Sequence, residues 1–244
     1  RVMTDSMPLY YNMFMPILIH MGDLFMMYKS NPLKEIFHPK AAFAQLKEAE
    51  RVKNVAIVVL ILLFSSIVLS LLRAYFGIGT EELTKHLDRY TSEQFAFSQL
   101  LFAFGHALGG LFVPLLFLFI SSIIYYLLFD VDFIKLLTIQ LPVLLIFLLE
   151  DIVLFPLQLF FGVKDLFSPF SLSVWGPYIT KHAFIWSLLR TVSVFSIWAI
   201  SLQIIALRSL TEKPVQRVAM IVIAVYVFFA LLITACTEFP FSGS

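Results

Sequence analysis

Apolar residues in this chain gather into long runs, not into the narrow stripes of helices that face a soluble core on one side. About 20 apolar residues cross the roughly 30 Å of a bilayer's hydrocarbon. Residues 54–72 (NVAIVVLILLFSSIVLSLL) and 183–207 reach that length, and 218–235 comes close. Ser65, Ser66 and Ser70 in the first run can bond back to their own helix, and 183–207 carries one charge, Arg190. Residues 133–155 form a further span, loosened near Pro142 and followed by Pro156. The stretch 95–129 would be about 50 Å long as one helix, more than a span needs. Gly109, Gly110 and Pro114 supply a break, so the expectation is a span over 111–129 and a separate helix, 95–108, at or above the outer interface.

Residues 8–28 are rich in methionine and interrupted by Pro16 and Gly22. They predict an interfacial or partner-packed helix, with a sixth span as the alternative. They lack the basic start and small-residue end of a signal peptide. Residues 30–53 predict a short amphipathic helix on the membrane surface, with Phe43, Leu46 and the stem of Lys47 on one face and Glu48, Glu50 and Arg51 towards water. The fold class is thus an all-α, polytopic transmembrane bundle of about five spans. It divides into an interfacial and cytoplasmic segment (1–53), a transmembrane domain (54–236) and a short external tail (237–244).

Composition strengthens this picture. The chain has 244 residues, of which 60% are hydrophobic and 14% charged, with mean hydropathy +0.93. Soluble domains run at about 45–50% apolar and about 25% charged. A net charge of +1 gives no field for nucleic acid. One cysteine, Cys236, excludes a disulfide or thiolate cluster within these residues. Lysines and arginines set the orientation. Lys29, Lys34, Lys40, Lys47, Arg51 and Lys53 precede the first span, and Arg208, Lys213 and Arg217 separate the last two. Five spans put both clusters on one side, so the N-terminus is expected in the cytoplasm and the C-terminus outside. The 79–93 and 162–182 loops are then external.

Ionisable residues inside a span are costly and mark candidate sites. Glu150, Asp151, Arg190 and His106 converge in depth near the outer boundary. They predict either an external polar site for a ligand head group or partner, or an interhelical ion pair between Arg190 and one carboxylate. Asp130 and Asp132 flank a turn as helix caps. His20, His38, His86 and His182 lack metal-ligand spacing, so no metal or cofactor is expected. His86 and Glu82 make only a single pair. Trp175, Tyr178 and Trp186 predict an outer aromatic belt. No H-E-x-x-H, P-loop or G-x-G-x-x-G occurs, and the span serines have no nearby base, so the expectation is a protein that is not an enzyme.

Several short motifs resemble the Yip1 family of multi-pass membrane proteins. Phe37-His38-Pro39-Lys40-Ala41-Ala42-Phe43 is similar to its proline-aromatic segment before the first span. The polar 130–135 stretch with Pro142 is similar to its third span. Ser168-Pro169-Phe170-Ser171-Leu172 resembles the loop before the fourth span, and Val194-Phe195-Ser196-Ile197-Trp198 the aromatic signature within it. Arg190-Thr191-Val192-Ser193 departs from the acidic residue often found shortly before that signature. The likeness covers about residues 36–234, and the short loops look like the prokaryotic branch. It implies an accessory or scaffolding subunit of a larger complex in a prokaryotic cytoplasmic membrane, with other membrane subunits, including ABC-type exporter components, and the lipid bilayer as partners. An envelope-resistance system is a second setting it implies. A small-molecule or lipid transporter, using the polar cluster as its site, is the alternative reading of the residues.

Overall fold

The computed structural model describes residues 27–79, 92–163 and 168–238. Within them the chain is an all-α bundle with a small N-terminal module at one end. That module is β1 (Met27–Lys29), α1 (Pro32–Phe37), α2 (Pro39–Glu48) and β2 (Arg51–Lys53), the two strands pairing in parallel. Then follow α3 (Val55–Tyr75), α4 (Ser92–Phe129), α5 (Phe133–Phe161), a 3-10 turn (Leu172–Trp175), α6 (Gly176–Ile179), α7 (Ala183–Thr191), α8 (Val194–Leu210) and α9 (Val215–Glu238). Four helices, α3, α4, α5 and α9, are long and apolar enough to cross a membrane.

α5 is the centre of the bundle. Its residues from Leu136 to Leu144 are all buried. Leu137, Leu141, Leu144 and Leu148 pack with Val55 and Leu62 of α3 and Leu118 of α4. Ile139, Val143 and Ile146 pack with Tyr125 of α4, Ala199, Leu202 and Ala206 of α8, and Val218 and Val222 of α9. α3, by contrast, leaves Ile57, Leu60, Ile61 and Phe64 exposed at the i, i+3, i+4, i+7 spacing of one helix face. An unpartnered apolar face of that kind suits hydrocarbon.

Three sequence expectations are corrected. The 95–129 stretch is not broken at Gly109-Gly110, because α4 is one helix of 38 residues that runs through Pro114. The glycines serve close approach instead. A Cβ on Gly110 would lie 2.6 Å from Ser70 Oγ and 3.0 Å from the Ser66 carbonyl oxygen. Small residues let helix backbones come together where no side chain intervenes. Pro114 is tolerated because a helix in a bundle can lose one backbone bond without unwinding.

The second correction is the mirror of the first. The expected 183–207 span is discontinuous, with α7 of nine residues and α8 of 17 separated at Val192-Ser193. Among the described residues, four uninterrupted helices of bilayer length stand where five spans were expected, and the fifth stretch is divided into the shorter α7 and α8. Third, α5 continues past Pro156 to Phe161, so Glu150 and Asp151 lie further from its end than a boundary at Phe155 implies.

The N-terminal module also differs from a lone surface helix. The amphipathic helix exists as α2, but Phe43 and Leu46 are fully buried in the core that also contains Ala206 and Leu207 of α8. Tyr28 and Val52 of the strand pair belong to the same core. Lys135 Nζ donates to the Lys47 carbonyl at 2.9 Å, and Lys213 Nζ to the Leu128 carbonyl at 2.5 Å. These contacts gather the module, the α4–α5 turn and the α8–α9 turn at one end of the bundle, where most of the described lysines and arginines lie. The expected helix over 8–28, apart from its last two residues, the 80–91 loop with Glu82 and His86, and the tail from 239 lie outside the described residues.

Candidate functional site

The break between α7 and α8 is where polar groups from four parts of the chain meet. Thr191-Val192-Ser193 is β-branched and hydroxylic, a run that favours extended backbone and caps over helix interior. Ser193 is the N-cap of α8. It accepts from the Ser196 N–H at 3.1 Å, while Ser196 Oγ accepts from the Ser193 N–H at 2.8 Å, a capping box closed by two serines. Backbone freed at the break is bonded by the preceding loop. Leu172 N–H donates to the Val192 carbonyl and Val194 N–H to the Phe170 carbonyl, each at 3.0 Å, around an antiparallel Ser171–Ser193 bridge. Tyr226 of α9 donates its hydroxyl to the Thr191 carbonyl. Irregular backbone at membrane depth survives only where protein satisfies it in this way.

Glu150 of α5 faces this break. Its carboxylate meets the Ser193 side chain and the positive charge of Arg190, and the Tyr226 hydroxyl lies in its field. It stands about 25 Å along α5 from Phe133, at about 1.5 Å per residue. A carboxylate at the N-terminus of α8 is favoured by the helix dipole. Ser168, Ser171, Ser173, Ser193 and Ser196 are all buried around the bridge, and Ser171 and Ser173 share a 2.6 Å hydrogen bond.

Asp151 turns to another neighbour. Arg73 in the last turn of α3 pairs with it, Nη1 to Oδ1 at 3.2 Å, and its second nitrogen donates to Gln158 Oε1 at 2.9 Å. Sequence reasoning missed Arg73 and Gln158. Arg73 lay one residue past the expected end of the first span, and Gln158 lay beyond the expected end of α5. The signal available was the arginine itself, the only charge between Lys53 and the next loop.

His106 is brought to a different place. It lines an open cleft of about 370 Å³ between α3 and α4 with Ser70, Phe102, Gly105, Gly109 and Gly110. Its ring is 4.4 Å from that of Phe102. Of the four residues in the expected cluster, Glu150 lies in the field of Arg190, Asp151 pairs with Arg73, and His106 lines the cleft between α3 and α4.

The family-like motif residues fall in two groups. Phe170 and Phe195 pack edge to face at 5.6 Å across the bridge, with Pro169 in the turn beside them and Trp198 one turn further along α8. Pro39 opens α2, Phe43 anchors it, and Pro142 is buried in α5. Trp175 and Tyr178 are exposed as an aromatic belt requires, whereas Trp186 packs against Gly176 and donates to the Thr180 carbonyl at 2.9 Å.

A second polar contact lies nearer the lysine-rich end. Gln203 Nε2 donates to Gln140 Oε1 at 2.8 Å, and Tyr125 OH to Gln203 Oε1 at 3.3 Å. This buried amide pair ties α8 to α5. Among the described residues no group of three or more His, Cys, Asp or Glu side chains is placed to hold a metal ion. Comparison with protein-family models, with curated proteins and with solved structures gave no match.

Proposed function

We propose that this chain is a non-enzymatic integral membrane subunit that scaffolds or assists a larger membrane complex. The observation that carries the reading is how the bundle uses its charge. Arg73 engages Asp151 and Gln158, Arg190 and Ser193 engage Glu150, and Tyr226 closes the helix break. Ionisable groups committed to one another hold helices in place. The resemblance of the 168–172 and 194–198 motifs to the Yip1 family supports the same reading, with an ABC-type exporter or an envelope-resistance system as the setting. The lysine-rich end is then cytoplasmic and the C-terminus external, in a prokaryotic cytoplasmic membrane, as the positive-inside rule asks.

Mild-detergent extraction at native expression level tests this. A stoichiometric membrane partner in the purified material is the expected result. A monomer carrying tightly bound small molecule or lipid would favour the second reading, a transporter. One observation supports that alternative: a span broken beside a carboxylate, as transporter sites often are.

A further inference from the structure

The N-terminal module presents a charge arrangement that its own fold does not require. β1 and β2 pair in the register Met27↔Arg51, Tyr28↔Val52 and Lys29↔Lys53. Alternation turns Tyr28 inward and leaves Met27, Lys29, Arg51 and Lys53 on the open side. Lys29 and Lys53 are thus direct neighbours on strands about 4.8 Å apart. Like charges placed opposite each other on a sheet destabilise it, unless an anion lies between them.

Position supplies the anion. Lys53 is two residues before Val55, where a helix of bilayer length begins. The first turn of α5 reaches the same module through the Lys135–Lys47 contact. The lysine pair therefore sits at the membrane boundary, at the level of phospholipid phosphates.

α1, which packs on α5, carries a second feature of the same kind. Leu33 and Phe37 are 57% and 70% exposed, although Ile36, Phe43 and Leu46 of the module are at most 5% exposed. The two lie four residues apart on one face of α1, with exposed Lys34 between them and exposed Lys40 just beyond. Large apolar side chains flanked by lysines are the mark of a helix seated in a membrane interface.

We propose that the module binds the phosphate of an anionic phospholipid between Lys29 and Lys53, with Leu33 and Phe37 inserted among the lipids beside it. The module then reads lipid charge on the side of the membrane where it lies. The site requires the membrane placement of α3 but no partner subunit, so lipid retention by the isolated chain is read separately from co-purification.

Native mass spectrometry of the chain released from nanodiscs tests this, with discs of phosphatidylcholine or of an equal mixture with phosphatidylglycerol. Wild type should retain phosphatidylglycerol selectively. Each lysine near an anionic surface is worth about fivefold in binding, so loss of both should reduce retention by about 25-fold, and Lys29→Glu with Lys53→Glu, which adds repulsion, by more than that. Lys29→Arg with Lys53→Arg should preserve it, and Lys181→Glu should leave it unchanged. Should the charge reversal fail to fold, Lys29→Gln with Lys53→Gln provides the same comparison without added repulsion. Retention that survives loss of both lysines would overturn the proposal. Inorganic phosphate added to phosphatidylcholine discs should not raise the melting temperature. A rise equal to that given by phosphatidylglycerol would mean a site for a free anion, and the lipid assignment would fall.

Discussion

Arg73 and Asp151 are far apart in the chain, yet they form an ion pair at 3.2 Å that fastens the end of α3 to α5. The guanidinium reaches Gln158 at the same time. A lysine carries the charge but not the planar fork that serves both partners. Arg73→Lys should therefore cost about 1 kcal/mol, the worth of a typical hydrogen bond. Arg73→Leu removes the contacts to both Asp151 and Gln158 and should cost about 2–3 kcal/mol. Thermal unfolding in a single detergent separates the two, and equal melting temperatures would show that the fork is idle.

Gly110 and Gly109 stand side by side but should respond oppositely to substitution. Gly110→Ala forces a Cβ against Ser70 and the Ser66 backbone, whereas a Cβ on Gly109 meets nothing within 4 Å. The Gly110 variant should separate α3 from α4 and lower the melting temperature. Gly109→Ala should leave it unchanged or slightly raised, since alanine favours helix by up to about 1 kcal/mol. A tolerant Gly110 would mean the helices are not held at this point.

Ser193 caps α8 inside the bundle, where water is not at hand to replace it. Ser193→Ala should cost about 0.5–2 kcal/mol. Leu172→Pro removes the N–H that serves the Val192 carbonyl and should cost at least as much. Protease accessibility of the 168–194 region in reconstituted protein reports both. Full protection in both variants would show that the bridge does not secure the break.

Glu35 gives the module a pH dependence. Burial pushes its carboxyl above the ordinary value of 4.5, only partly offset by hydrogen bonds from the Asn31 N–H, Tyr28 and Ser30 and by the charge of Lys34. Tyr28 is in turn pushed up by burial and by Glu35. A folded state that holds its proton more tightly than the unfolded one loses stability as pH rises. The module should be most stable below about 4.5 and weaken as pH climbs through the raised folded value. Hydrogen exchange at β1 and β2 should quicken across that window in wild type and stay flat in Glu35→Gln. Wild-type exchange that slows with rising pH, after correction for intrinsic rates, would reverse the sign.

Much of the bundle is legible in the sequence because bilayer-length apolar runs permit few alternatives. α3, α5 and α9 lie close to the expected 54–72, 133–155 and 218–235. The helix break is misread because Gly109, Gly110 and Pro114 look like punctuation, whereas their role depends on Ser66 and Ser70 of another helix. The true break at Val192-Ser193 has a local signal, a β-branched pair before a serine that caps. Hydropathy averages over it. That Glu150, Asp151 and Arg190 share a depth is an expectation drawn from the apolar runs alone. Which charge meets which depends on helix rotation, and that brings Arg73 to Asp151. The parallel β1–β2 pair has almost no local signature, since three residues per strand carry little pattern.

Glu150 and Arg190 test most directly whether charge in this bundle serves its own architecture. Unfolding free energies of Glu150→Leu, Arg190→Leu and the double variant, measured in one detergent, complete a double-mutant cycle. Each single change should destabilise by leaving a charge unmatched, and the double variant should recover part of the loss, with a coupling energy of about 1–3 kcal/mol. Losses that simply add, with no coupling, would contradict a structural pair and return Glu150 and the α7–α8 break to the transporter reading.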